Sequence, residues 1–209
     1  MSSSLHVSAN QWRTSILKAC IGANVARGVA EDIADAGLAL LANGNDPLTS
    51  LLTCLQEFDA PAQEASWPRS GRTADLGQLQ VLHHGPSAID LVQAGIQTQF
   101  SPDSHALVLG LAQARCHSHG LCTQVAFDEG DWIPLDQAIS RSADQNSGSP
   151  IQLRFAGIEE PKSLSATHLP QPKREDWQAL QGFADQILVP ADATSREDAG
   201  VGDGQTDND

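Results

Sequence analysis

Three stretches of this chain hold side chains of the types that do chemistry. The densest in metal-ligand types is Cys116-His117-Ser118-His119-Gly120-Leu121-Cys122. Zinc takes three or four thiolate, imidazole or carboxylate ligands at ~2.0–2.3 Å. A helix ending at Gly120 puts Cys116 and His119, three apart, on one face, with Cys122 just beyond the turn, so three ligands would lie near one another. No Cys-x-x-Cys pair and no partner at a fixed spacing accompanies them, and little of a zinc spacing is present. The reading adopted is no metal and no cofactor. Cys116 is then a small buried apolar group, and His117 and His119 sit where a helix C-terminus favours imidazole charge.

The second stretch is His83-His84-Gly85-Pro86. Leu79 to His83 alternates weakly and reads as a strand, in which adjacent imidazoles point to opposite faces and only one serves a given site. A general base needs a partner to orient it, and the nearest acid, Asp90, lies across an undecided segment. A strand-end histidine without catalytic work is the favoured reading.

The third is the terminal segment from Val189 to Asp209, with Thr194-Ser195-Arg196 followed by Gly200, Gly202 and Gly204 among acids. An arginine forks onto a carboxylate or phosphate, and Thr194 and Ser195 offer hydroxyls beside it. Glycines spaced in this way permit backbone shapes whose N–H groups converge on an anion. The segment is not a nucleotide signature, because the P-loop lysine is missing and no strand precedes the glycines. Asp203, Asp207 and Asp209 do not fit the spacing of a calcium-binding loop. Thr194, Ser195, Arg196, Gly200 and Gly202 are therefore the candidate ligand-binding residues. Two structural alternatives stand beside that reading: a disordered acidic tail, and an ordered strap whose arginine pairs with an internal acid such as Glu31.

The elements that must position these groups are read from patterning. Ser8 and Gln11 form a capping box, and Trp12, Ile16, Ala19 and Cys20 follow at helical spacing up to Gly22. A second helix runs from about Ala26 on Val29, Ile33, Ala36 and Leu40, and ends at Gly44. Asp46 and Pro47 open a third, whose stripe is Leu48, Leu51, Leu52, Leu55 and Phe58. Residues 59–75 are polar with two prolines and read as a surface loop. Ala88 to Gln93 fits a strand or a helical turn equally. Ser101-Pro102-Asp103 opens a helix that runs through Leu107, Val108, Leu111, Ala112 and Arg115 to Gly120. Leu121–Phe127 and Ile151–Ile158 are strands with a polar turn at 144–150 between them, 159–172 is loop, and Trp177, Leu180, Phe183, Ala184, Ile187 and Leu188 mark a final helix ended by Pro190. Helices first, then mixed strands and helices, indicate an α+β fold: a helical part at 8–58, a mixed part with a small mixed sheet at 79–188, and a strap at 189–209, all in one domain.

Composition excludes several partners. The 209 residues carry a formal charge of −14, the wrong sign for nucleic acid or an anionic membrane surface. The acid is uneven: residues 1–100 hold 9 acids and 5 bases, and residues 101–209 hold 17 and 7. No apolar run approaches the ~18–20 residues of a membrane span. Met1-Ser2-Ser3-Ser4 leads into a polar amphipathic helix, not a signal sequence, and the four cysteines lack a disulfide-framework spacing. The expectation is a soluble cytoplasmic protein with reduced thiols.

Two stretches together resemble a bacterial family, domain-of-unknown-function family 3726. One is Ala19-Cys-Ile-Gly-Ala-Asn-Val-Ala-Arg-Gly-Val-Ala-Glu-Asp-Ile-Ala. The other is Val189-Pro-Ala-Asp-Ala-Thr-Ser195-Arg196, with Ala199-Gly-Val-Gly202 and Thr206-Asp-Asn-Asp209. Ala-Gly-Val-Gly stands here where the family pattern has Gly-Ala-Gly. The resemblance covers the whole length and implies that the terminal segment belongs to the domain; it implies no activity. With no nucleophile–base pair in view, binding is favoured over catalysis. The expected function is binding of an anionic small molecule at Ser195-Arg196. The alternative is a non-catalytic subunit docking a basic partner through its acidic C-terminal half.

Overall fold

A computed structural model of the chain describes residues 5–58, 73–76, 80–100, 105–127, 130–142, 150–161 and 169–187. Within them lie seven α-helices and five strands, and the fold is α+β. The strap, residues 189–209, lies outside the described residues.

The N-terminal helices form as their patterns dictate. In α1 (Ala9–Gly22) the Ser8 hydroxyl accepts from the Gln11 N–H, while the Gln11 side chain accepts from the Ser8 N–H at 2.8 Å. That reciprocal pair satisfies two otherwise orphaned donors. Trp12, Ile16, Ala19 and Cys20 are buried. Helix α2 (Arg27–Ala42) ends at an Asn43 cap, with Gly44 following at φ +80°. Helix α3 (Leu48–Gln56) starts where the Asp46 carboxylate accepts from the Leu48 N–H at 2.9 Å. Helix α7 (Arg174–Ala184) packs on α1 and α3, and Trp177 meets Trp12 edge-on at 5.1 Å. A short 3-10 turn, Asp185–Ile187, follows it.

The strand expected at 79–83 is not seen among the described residues of that stretch, and residue 79 lies outside them. Residues from Val81 onward belong to α4 (Val81–Gln93), which carries Pro86 inside it. Proline in a helix interior costs about 3 kcal/mol, and the alternation at 79–83 masks a longer period. Val81, Leu82, Gly85, Pro86, Ala88, Ile89 and Val92 are all buried, at the i, i+4, i+8 spacing of one helix face. Packing of that face against α2 and α5 outweighs the local penalty. This also decides the ambiguous 88–93 in favour of helix.

The sheet is mixed, in the order β1-β2-β5-β3-β4. Strands β1 (Thr73–Leu76) and β2 (Gln97–Phe100) are parallel and are joined through α4. Strands β5 (Ile151–Ile158), β3 (Leu121–Phe127) and β4 (Ile133–Pro134) pair antiparallel. The first three residues of strand β1 fall in the stretch 59–75 that reads as surface loop, and no strand or helix is expected from the sequence at β2, β4 or α6 (Leu135–Ser142). Each is short, and polar residues interrupt it.

Helix α5 (His105–His119) lies between α2 and the sheet, in contact with both. Six consecutive residues, Leu107 to Ala112, are buried, the mark of a helix packed on every side. Its approach to α2 is close at Gly110. A Cβ there would sit 2.8 Å from the Ala36 carbonyl oxygen and 3.0 Å from Leu40 Cγ. Glycine is what lets the two backbones meet. No helix among the described residues is long and apolar enough to cross a membrane.

Candidate functional site

Beyond the Gly110 contact the facing surfaces of α2 and α5 turn polar, and a cleft of about 360 Å³ opens between them. That volume falls within the range of small-molecule sites, ~300–1,000 Å³. One wall is Asp32, Asp35 and Leu38 of α2; the other is the last two turns of α5, from Leu111 to His119. Asp32 and Asp35 are three apart and share a helix face, as do Leu111, Ala114, Arg115 and Ser118 at spacings of three and four.

Arg115 organises the charge. Its guanidinium nitrogen lies 3.8 Å from an Asp32 oxygen and 3.6 Å from an Asp90 oxygen, so one cation from α5 bridges acids on α2 and α4. Both separations exceed a hydrogen bond, and the guanidinium's directed donors stay available. Asp35 is held differently: Arg13 of α1 donates to it at 2.7 Å. That hydrogen bond is the main cause of a raised Arg13 pKa, opposed by burial and aided by the charges of Asp35 and Glu31.

Asp32 is the unsettled member. Burial pushes its carboxyl above the ordinary range; Arg115 pulls the other way, while Asp35, Asp90 and Glu31 add to the rise. Desolvation of the carboxylate therefore outweighs the one long ion pair.

Along α5, the buried Gln113 and the cleft-lining His117 are 2.8 Å apart from amide nitrogen to Nε2. Which of the two groups donates depends on the tautomer of the ring. Ser118 donates its hydroxyl to the Ala114 carbonyl at 2.8 Å, which ties it to its own helix. His119 is exposed at the mouth.

The residues singled out from sequence are distributed as follows. Cys116 and Cys122 come together, with their sulfurs 3.4 Å apart. His119 does not join them, and among the described residues no group of three or more His, Cys, Asp or Glu side chains is arranged to hold a metal ion. His83 and His84 lie on a helix, not a strand, so the expectation of opposite faces fails: their rings are 5.8 Å apart, and His83 stacks on Phe58 at 4.2 Å. Asp90 faces Arg115. Glu31 pairs with Arg27 at 3.0 Å, one turn away. Thr194, Ser195, Arg196, Gly200 and Gly202 lie outside the described residues.

Asp32, Asp35 and Arg115 went unrecognised as a set in the sequence, yet a signal was there. Arg115 is the single Lys or Arg between Arg72 and Arg141, set in an apolar helix. A cation so placed must find carboxylates from another element. Compared with known proteins, the chain matches no family model, no curated protein and no solved structure.

Proposed function

We propose that the protein binds a small zwitterionic metabolite, an amino-acid-like molecule, in the α2–α5 cleft. Asp32 carries this reading. Its carboxylate is partly desolvated and incompletely offset by Arg115 at 3.8 Å, so a ligand ammonium within hydrogen-bond distance supplies the missing partner. The ligand's anionic end falls to the available donors of Arg115, with His119 at the rim. Leu38 and Leu111 take the apolar part between the two charges.

In this reading Arg115 takes the anionic half of the ligand; the anion site expected at Thr194, Ser195, Arg196, Gly200 and Gly202 lies outside the described residues. Membership in family 3726 is part of the same proposal and rests on the residues quoted above. A single domain that includes residues 189–209 belongs to the proposal on the same residues, and a cytoplasmic setting belongs to it on the cysteine spacing.

Thermal stabilisation and calorimetric titration with α-amino acids, simple amines and simple carboxylates or phosphates test this reading. Zwitterions stabilise the protein more than either half alone. Asp32→Asn and Arg115→Ala each lower affinity by about tenfold to a hundredfold, the scale of a charged hydrogen bond. Binding that survives both substitutions defeats the proposal. An anion-only effect abolished by Arg196→Ala would place the site in the terminal segment instead. A panel without any binder would favour the alternative, docking of a basic partner on the acidic surface.

A further inference from the structure

The turn from α5 into β3 brings together the two cysteines that bracket the cleft's imidazoles. Gly120 makes this possible. It sits at φ +68°, and a Cβ there would collide with the Glu159 carbonyl oxygen. Its own N–H donates to the Cys116 carbonyl at 2.8 Å, and its carbonyl accepts from the Glu159 N–H at 2.8 Å. The chain is therefore clamped on both sides of the reversal, by the end of α5 and by the residue after β5. A register irregularity falls between Cys122 and Thr123, which pair with Gly157 and Phe155, and such bulges re-aim the side chains beside them.

The result is a sulfur–sulfur contact of 3.4 Å between half-buried thiols, with Cys122 also lying 3.6 Å from the Gly120 carbonyl oxygen. A disulfide bond measures ~2.05 Å, so roughly 1.4 Å separates contact from bond. Cys20 sets a contrast. It is buried in the core, and burial, with Cys54 adding, pushes its thiol up to about 12. A thiol that stays protonated is inert as a nucleophile.

We infer that Cys116 and Cys122 form a reversible dithiol–disulfide centre that exchanges with small-molecule disulfides of the glutathione type. The exchange balances in two steps. One cysteine thiolate attacks a sulfur of oxidised glutathione, forming a mixed disulfide and expelling one glutathione thiolate. The second cysteine thiolate then attacks the protein-side sulfur of that mixed disulfide, closing the Cys116–Cys122 bond and expelling the other glutathione. Two electrons pass from the protein to glutathione, and the two thiol protons leave with the two reduced glutathiones. The bond formed would close the turn that carries His117, Ser118 and His119. The inference rests on thiol geometry alone and is independent of the cleft's ligand.

The full-length protein, equilibrated in glutathione buffers of graded ratio, then denatured and alkylated with N-ethylmaleimide, provides the test. Oxidising buffers should yield a species about 2 Da lighter before alkylation, dithiothreitol should reverse it, and peptide mapping should find Cys116 linked to Cys122. Cys116→Ser or Cys122→Ser should each remove that species, while Cys54→Ser should keep it. Full alkylation of both thiols at every ratio, or a link mapping to another pair, overturns the inference. The wild-type map decides the matter even where a serine variant fails to fold.

Discussion

At Asp32 two effects oppose each other, and their balance gives a pH-dependent signature. Burial raises the carboxyl's pKa and Arg115 lowers it, with burial the larger. Below the ordinary carboxylate range, folded and unfolded chains both hold the proton, and the group is neutral to stability. As pH rises through the ordinary value, the unfolded chain releases its proton first. The folded state then loses stability until Asp32 itself ionises, and that loss persists above. Asp32→Asn should accordingly raise the melting temperature of the ligand-free protein near about pH 7, with the gain shrinking toward about pH 3. A gain independent of pH would mean that ionisation of Asp32 is not its source, and a lower melting temperature at neutral pH would mean that the Arg115 pair outweighs burial. The side chain that costs stability in the empty cleft is also the one assigned to the ligand's cation, a common arrangement at functional sites.

At the scale of elements, the cleft exists because α2 and α5 touch at one level and part at the next. Gly110→Ala tests the touching part. The added methyl meets a backbone carbonyl at 2.8 Å and Leu40 at 3.0 and 3.1 Å, and a carbonyl in the middle of α2 moves only if the helix moves. Overpacking of this kind costs about 1–3 kcal/mol, a drop in melting temperature of roughly 3–8 °C. An unchanged melt would show that the helices separate freely there.

The same scale shows what the sequence made legible. The capping box at Ser8 and Gln11, the leucine stripe from Leu48 to Leu55 and the strands Leu121–Phe127 and Ile151–Ile158 announce themselves, because local chemistry and burial agree. Helix α4 does not, since Gly85-Pro86 argues against helix locally while the surrounding core demands one. The short strands β1, β2 and β4, of four, four and two residues, are fixed by their neighbours and leave little periodic trace. Asp32, Asp35, Asp90 and Arg115 sit on three different helices, and no spacing within one helix reveals what another brings to it. The cysteine pair was visible as a spacing, but its meaning as a contact depends on the Gly120 reversal.

For the whole molecule, the charge of −14 bears on what the cleft accepts. A strongly acidic protein concentrates cations near its surface and disfavours simple anions, so a ligand carrying an ammonium approaches more readily than a bare carboxylate or phosphate. At and around the cleft the balance is closer to even, because the lining Arg115 and the neighbouring Arg13 stand against the lining Asp32 and Asp35 and the neighbouring Asp90. The field of the whole molecule disfavours a bare anion and leaves a net-neutral zwitterion unpenalised, which is the class of ligand proposed for the cleft.

The most direct measurement is a titration of the isotopically labelled protein with the best-stabilising amino-acid-like compound, followed amide by amide in NMR spectra. The proposed function predicts saturable shifts clustered on residues 32–38 of α2 and 111–119 of α5, and lost in Arg115→Ala. Shifts confined to residues 189–209, or scattered without saturation, would contradict it.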